Sequence, residues 1–457
     1  MPSAMILAMR SIILVVLFFL VIPASASAST PWHDQRADLE FARDQYLPRS
    51  LAFSKGDRRR VTAMIDQVIA HNRALSNEAF LLATLRIAAA SGNAHEGVHG
   101  GWLPATRLPF RMIWFPDALV IARAAPQYAD LLGARVETIE GLKPRALQAR
   151  LRTYVAGTDD YVRWNGLWLV ESGGMLHAMG VARAPEGLRL VLRKPDGKRV
   201  ELTVPFVPRS SAPAGASPPR FWSAEPYESE AKFGWRSAIE GPIEPLYLRD
   251  EGDPFRVVEM VTLDALYVQF RANSTADAGG RDIAAFVKRV REEMSARRPS
   301  YLVLDLRFDI GGDIDQTREL ARFIAKSVPG RIFVLTGPYT FSAGIVMAAA
   351  VKHDARDRVV IVGEPVGDRL RFWSEGTHVC LPNSKYCLHA SDGLWDLTRG
   401  CAKEPACYGD CLDARVDSLA PDISAPLTSR DWLSGRDPAM EAVGAAIMSS
   451  SPPPRRR

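Results

Sequence analysis

Between Asp34 and Ala90 apolar residues recur at steps of three and four: Leu39, Phe41 and Ala42, then Val61, Met64, Ile65, Val68 and Ile69, then Phe80, Leu81, Leu85 and Ile87. That is the period of a buried helix face, so this stretch reads as a succession of helices. Ser76, followed by Asn77 and Ala79, offers the last of them an N-cap, and Ser91-Gly92-Asn93 a stop. The next residues, His95-Glu96-Gly97-Val98-His99-Gly100-Gly101, must then form a loop. From Leu108 to Val207 the pattern shortens to strand-like runs, such as Ala118 to Ala122 and Leu188 to Leu192. Lys194-Pro195-Asp196-Gly197 is a turn signal before the alternating run Val200 to Val204, which predicts a hairpin.

Pro, Ser and Ala dominate from Pro208 to Pro219, the composition of a linker or surface loop. From Leu263 onward strands alternate with helices: strand Ala265 to Phe270, helix Asp282 to Ala296, strand Tyr301 to Leu306, helix Gln316 to Ser327, strand Arg331 to Leu335, helix Ser342 to Lys352, strand Val359 to Val362. Such alternation predicts an α/β fold with a mostly parallel sheet, whose reactive groups gather at the carboxyl ends of strands. The turns after Leu306 and Leu335 are therefore the places to look for chemistry.

The N-terminus changes the picture of compartment. Arg10 precedes an apolar run from Ser11 to Ile22, and Ala24-Ser25-Ala26-Ser27-Ala28 offers an A-x-A cleavage site, the pattern of an export signal. The run is short for a bilayer span of about 20 residues, and no later segment is apolar for so long, so no stable membrane insertion is expected once the signal is removed; an uncleaved anchor is the alternative. All five cysteines, Cys380, Cys387, Cys401, Cys407 and Cys411, fall in one window. In an oxidising compartment four of them make two local disulfides and one thiol is left over. A zinc cluster is the competing reading, but the spacing lacks paired C-x2-C motifs. The net charge of +5 is spread over 57 basic and 52 acidic residues, which gives no footprint for nucleic acid.

Two candidate turns carry chemistry. The strand Tyr301-Leu302-Val303-Leu304-Asp305-Leu306-Arg307 runs into Phe308-Asp309-Ile310-Gly311-Gly312, where adjacent glycines let the backbone turn with its amides exposed, as an oxyanion hole requires. The next strand ends in Thr340-Phe341-Ser342-Ala343-Gly344 and opens a helix, which sets the Ser342 hydroxyl near free amides and the helix dipole. By itself such a serine is equally well an N-cap. Taken together, L-D-L-R-x-x-x-G-G, T-F-S-A-G, Val362-Gly363-Glu364-Pro365-Val366-Gly367, and the ending Pro421-Asp422-Ile423 with Gly435-Arg436-Asp437-Pro438 resemble the core of the tail-specific (C-terminal processing) serine peptidases, the S41 type, from about Leu263 to the C-terminus.

The resemblance implies a ClpP/crotonase-like β/α catalytic core with an N-terminal helical segment and a β-rich middle domain. It implies Ser342 as nucleophile, with Ala343 and Gly311 or Gly312 as oxyanion donors. The slot for a lysine base reads Gly367-Asp368-Arg369, and arginine cannot take the proton, so the histidine-using branch is the better match. There the base comes from an N-terminal loop, which corresponds here to Gly92-Asn93-Ala94-His95, and His95 is the expected general base; His99 is its nearest rival. Glu375 is the expected third member, with Asp368 and Glu364 as other candidates; Asn93 and Asp309 depart from the family pattern.

The expected organisation is a signal peptide (1–28), an N-terminal helical segment (29–100), a β-rich domain (101–207) in which Tyr128 to Gly141 resembles a segment of PDZ domains, a linker and connecting segment (208–260), a catalytic β/α domain with a Cys-containing insertion (261–447) and a tail (448–457). The expected partner is a peptide or protein substrate, with no metal or organic cofactor and no oligomeric state assigned. Two other classes fit the same residues: a catalytically silent binding protein on this fold, and an esterase, although Thr340-Phe341-Ser342-Ala343-Gly344 lacks the first glycine of G-x-S-x-G.

Overall fold

The computed structural model describes residues 30–100, 104–208, 224–239, 245–249, 253–276, 280–401, 403–408 and 414–449. The expected signal peptide, most of the expected linker, Cys411 and nearly all of the expected tail lie outside the described residues.

The N-terminal periodicity resolves into helices Trp32–Phe41, Lys55–Ala70 and Asn77–Ala89, the first running on through a π-helical turn, Ala42–Tyr46. Ser54 and Asp57 form a capping box on the second, and Ser76 accepts from Ala79 N on the third, so polar residues start both helices where apolar spacing alone leaves the boundary open. These helices pack on a hairpin of the C-terminal half. Asp38 accepts from the backbone amides of Asn383 (2.8 Å) and Ser384 (2.7 Å), and the Phe80 ring lies 5.8 Å from Tyr386.

An antiparallel sheet follows, with strands Phe110–Trp114, Leu119–Ala124, Arg135–Ile139, Gly187–Arg193 and Arg199–Pro205 adjacent in chain order. The last two form the predicted hairpin. Arg111 and Arg123, both buried, meet Glu230 at 3.2 and 2.8 Å and so tie a later segment to this sheet. Between residues 144 and 178, where strand-like runs were expected to dominate, the chain instead forms four short helices, Pro144–Leu151, Asp159–Asn165, Leu167–Val170 and Gly173–Ala178. Each is too short to display a helical period, and Tyr161, Trp164, Leu167, Leu169, Val170, Met175 and Leu176 are buried, so apolar residues lie on every side. The signals that mark them are local ones: Pro144 at a first turn, and Thr158 and Ser172 as N-caps.

The C-terminal half is a six-stranded sheet in the order Phe255–Met260, Ala265–Phe270, Tyr301–Asp305, Ile332–Thr336, Val359–Gly363 and Ile423–Ser424. Its first pair is antiparallel and all later pairs are parallel. Helices Ile283–Arg297, Arg318–Ser327 and Ala343–Ala355 share a core with one face, and Pro438–Met448 covers the other. The molecule is thus a mixed α/β fold with N-terminal helices, a β-rich middle and a mostly parallel core. Two disulfides, Cys380–Cys387 and Cys401–Cys407, staple the expected insertion.

A buried ion cluster joins the two ends of this half. Arg307 donates to both carboxylate oxygens of Asp305 (3.0 and 2.6 Å) and of Asp437 (2.8 and 3.0 Å), and its guanidinium lies 4.7 Å above the Tyr247 ring. Asp437 in turn caps the last helix by accepting from Met440 N. The two charged motifs that frame the chain's second half are therefore halves of one contact. Replacing Arg307 by alanine leaves two carboxylates facing each other without a cation in a dry site, and should lower stability by about 3–5 kcal/mol. Urea unfolding followed by circular dichroism checks this; a loss under about 1 kcal/mol, the range of a surface pair, would refute the clamp.

Candidate active site

Strand Ile332–Thr336 delivers the chain to a turn in which Ser342 adopts φ 51° and ψ −123° immediately before helix Ala343–Ala355. L residues other than glycine avoid this region, at a cost of order 1–3 kcal/mol, so surrounding contacts must impose it. Thr340 Oγ1 donates to Leu306 O (2.8 Å) and accepts from Gly337 N (2.9 Å), and Phe341 N donates to Asp309 O (2.9 Å). The helix that follows is buried along nearly its whole length, which anchors the downstream side. Ser342 makes no side-chain capping bond, unlike an ordinary N-cap with extended dihedrals. Its hydroxyl is left for other work.

The paired glycines face this serine. Gly311 (φ 100°) brings its bare Cα so close that an added Cβ would sit 2.6 Å from Ser342 Cβ and 2.9 Å from Ala343 N. Asp309, fully buried, shapes the turn: it accepts from Gly311 N (3.0 Å) and from Asn273 Nδ2 (2.6 Å), while Thr317 Oγ1 donates to Asn273 Oδ1 (2.7 Å). Asp309 thus has a defined structural task. Of the expected oxyanion donors, the Gly311 amide is committed to Asp309. The amides of Ala343 and Gly312 have no protein acceptor among the described residues.

His95 comes from the loop after helix Asn77–Ala89, and that loop is pinned on several sides. Asn93 pairs with the backbone of Trp373 through both its amide atoms (2.9 and 3.1 Å), and Arg369 donates to Gly92 O (3.0 Å). Arg369 therefore holds the His95 loop. Glu96, buried, accepts from Tyr46 Oη, from Ser50 Oγ (2.8 Å) and from Ser391 N (2.9 Å). Burial pushes its carboxyl up, and these bonds oppose the shift.

The His95 ring is stacked between Phe341 (4.5 Å between centroids) and Phe372 (5.2 Å), with Tyr161 on the far side of Phe341 (4.7 Å). It thereby lies against the residue preceding Ser342. Neither of its nitrogens has a hydrogen-bond partner among the described residues, and Asp368 Oδ2 faces Nδ1 at 3.8 Å, also unpartnered. Burial, followed by the nearby charge of His389, lowers the imidazole pKa to about 3, so the ring is held neutral. Burial likewise raises the Asp368 carboxyl to about 6.

Glu375 is not brought to His95. Its Oε1 accepts from Ser374 Oγ (3.0 Å) and lies 3.4 Å from Trp395 Nε1, and the side chain is on the exposed edge of the adjoining hairpin. The carboxylate beside the histidine is Asp368, because Gly367 folds back under the Ser342 turn, its amide donating to Thr340 O (2.8 Å). Glu364, the other candidate, accepts from Leu427 N (3.2 Å) instead. His353 is structural, with Nδ1 accepting from Arg415 N (3.1 Å), and His99 stands on the strand Val98–His99 beyond the loop.

No protein-family model matches the chain, and no curated protein matches it by sequence. Solved structures do. A serine-to-alanine mutant of CPAF aligns with a TM-score of 0.59 at 13% identity, covering 92% of this chain and 98% of that one. Mature CPAF complexed with lactacystin aligns at 0.57 and 13% identity, over 91% and 98%. The photosystem II D1 C-terminal processing protease aligns at 0.41 and 14% identity, over 92% and 98%. The chain shares its fold with CPAF.

Within this fold, residues from the middle of the chain that no sequence motif marks frame the candidate site. Trp164 Nε1 donates to Pro338 O (3.0 Å), Thr158 Oγ1 donates to Gly367 O (2.7 Å), and Tyr161 backs Phe341, all from one short helix and its cap. The aromatic residues Phe341 and Phe372, next to or near recognised motifs, were the available signal.

Gly311→Ala should displace the Ser342 turn and cost over about 2 kcal/mol, since a Cβ there strikes Ser342 Cβ and strains a positive φ. Urea unfolding followed by circular dichroism checks this; a variant that keeps the native stability refutes the close approach. Asp368 binds its proton more tightly in the folded chain than in the unfolded one. Its contribution to stability is therefore whole below about pH 4 and is lost as pH rises through about 6. Asp368→Asn should accordingly stabilise the protein by roughly 2–3 kcal/mol near pH 8 and hardly at all near pH 4, a difference read from unfolding curves at the two values.

Proposed function

We propose that the chain is an exported serine peptidase of the histidine-using kind, which hydrolyses peptide bonds in a peptide or protein substrate through an acyl-enzyme at Ser342. The observation that carries this reading is the backbone of Ser342, held at φ 51° against the turn of Gly311 with its hydroxyl free of any capping role. Ser342 Oγ attacks the peptide carbonyl while His95 takes its proton; the proton then passes to the leaving amine, and water, deprotonated by the same imidazole, releases the acyl group. Asp368 is the orienting carboxylate, able to accept from His95 Nδ1 after a closure of about 1 Å, since catalytic hydrogen bonds are often long before substrate arrives. The amides of Ala343 and Gly312 are the donors for the oxyanion. Export is supported by the N-terminal signal pattern and by two disulfides, and among the described residues no helix is long and apolar enough to cross a membrane.

A fluorophosphonate probe on purified, oxidised protein tests the assignment. Native protein should label, Ser342→Ala should not, and His95→Ala and Asp368→Asn should label at least about 10³-fold more slowly. Folded native protein that stays unlabelled would overturn the peptidase reading in favour of a silent binding protein. The pH dependence carries a second signature. Because His95 is already neutral, the labelling rate should rise with Asp368 ionisation, half-maximal near about pH 6. A rate independent of pH from about 5 to 8 would exclude Asp368 from the relay.

A further inference from the structure

The chain has eight histidines, and three of them meet on a small sheet beyond the candidate active site. Strands Thr377–Cys380 and Cys387–Ala390 form an antiparallel hairpin in which His378 stands directly opposite His389. The strand Val98–His99 adds to the other side of Cys387–Ala390, with His99 opposite Cys387. Side chains two apart along a strand, and those directly opposite, share a face. His99, His378 and His389 therefore project from one face. Their ring centroids are 4.9 Å (His99–His378), 5.1 Å (His378–His389) and 6.1 Å (His99–His389) apart, each pair edge to face.

We propose that these three imidazoles form a site for a borderline divalent cation, Zn2+ foremost, with the open coordination position turned to solvent. With Zn–N bonds of 2.0–2.1 Å, imidazole rings on one tetrahedral ion have centroids about 5 Å apart, close to the spacing observed. The nitrogens do not converge in their present rotamers, and no preformed group of three ligating side chains occurs among the described residues. The rings are the movable part. His99 and His378 are exposed, and exposed side chains exchange rotamers on the picosecond to nanosecond scale. The backbone that carries them is fixed by strand pairing, by the Cys380–Cys387 disulfide across the same two strands, and by the bond from His389 N to Gly97 O (3.1 Å). Imidazole donors suit this class of cation, whereas Mg2+ and Ca2+ prefer oxygen. A bound ion would lock the strand that leaves the His95 loop onto the hairpin.

The test uses full-length oxidised protein stripped with a chelator and dialysed against Zn2+, with bound metal measured directly. Native protein should take up one equivalent and melt at a higher temperature when loaded. His378→Gln and His389→Gln should each weaken binding at least fivefold, and the double variant should lose the equivalent. Native uptake no greater than that of the double variant, or single variants within fivefold of native, would overturn the site. Co2+ added to native protein gives a reading that needs no variant: visible d–d bands of a nitrogen-rich site are expected, and their absence also overturns it.

Discussion

Gly311 and Ser342 occupy space that only one side chain can share. The turn after one strand comes so near the turn after the next that glycine is required on one side, and the serine on the other is held at a backbone angle that a free chain would shun. The positions of the unpaired amides, the exposure of the hydroxyl and the direction of the buried helix follow from this contact. The strain is sustained because it is distributed: Thr340 and Phe341 bond to the carbonyls of Leu306 and Asp309, Asp309 is itself held by Asn273, and the helix after Ser342 is buried from Ala343 to Val351. Arg307, just upstream, fixes the same strand end to Asp437 at the far end of the chain.

The second constraint is dryness. His95 lies in a stack running from Tyr161 through Phe341, His95 and Phe372 to Trp395, and neither its nitrogens nor the facing oxygen of Asp368 reaches a partner among the described residues. Burial holds the imidazole neutral and makes the aspartate reluctant to ionise, so the pair is costly to the folded state in the form that the proposed chemistry uses. Precision comes from the surroundings. Asn93, Glu96 and Arg369 fasten the loop through hydrogen bonds to three separate segments, which lets a loop residue be placed almost as firmly as one on a strand.

The parts of the site that were legible in the chain are those written in consecutive residues. A glycine pair after a buried strand and a serine opening an apolar helix are local signals, because strand, turn and helix obey short-range rules. His95 was legible through its resemblance to a motif rather than through any physical property of its neighbours. Asp368 rather than the expected Glu375 lies beside the ring, a choice among acids close in sequence that depends on which way the chain turns after Gly363. The short helices between residues 144 and 178 escaped for a different reason: four to eight residues cannot display a period of 3.6.

The sequence alone determined the alternation of strands and helices in the second half, the helical N-terminal segment, the clustering of cysteines that became two disulfides, and the strand-to-helix turn that carries Ser342, since each rests on patterns within one or two elements. Tertiary structure alone decided which amide of the glycine pair is free, which carboxylate faces His95, that Arg369 fastens the His95 loop, and that three histidines from two distant segments share one face. These are contacts between residues tens to hundreds of positions apart. They are set by packing and by burial of charge, neither of which leaves a local trace in the order of amino acids.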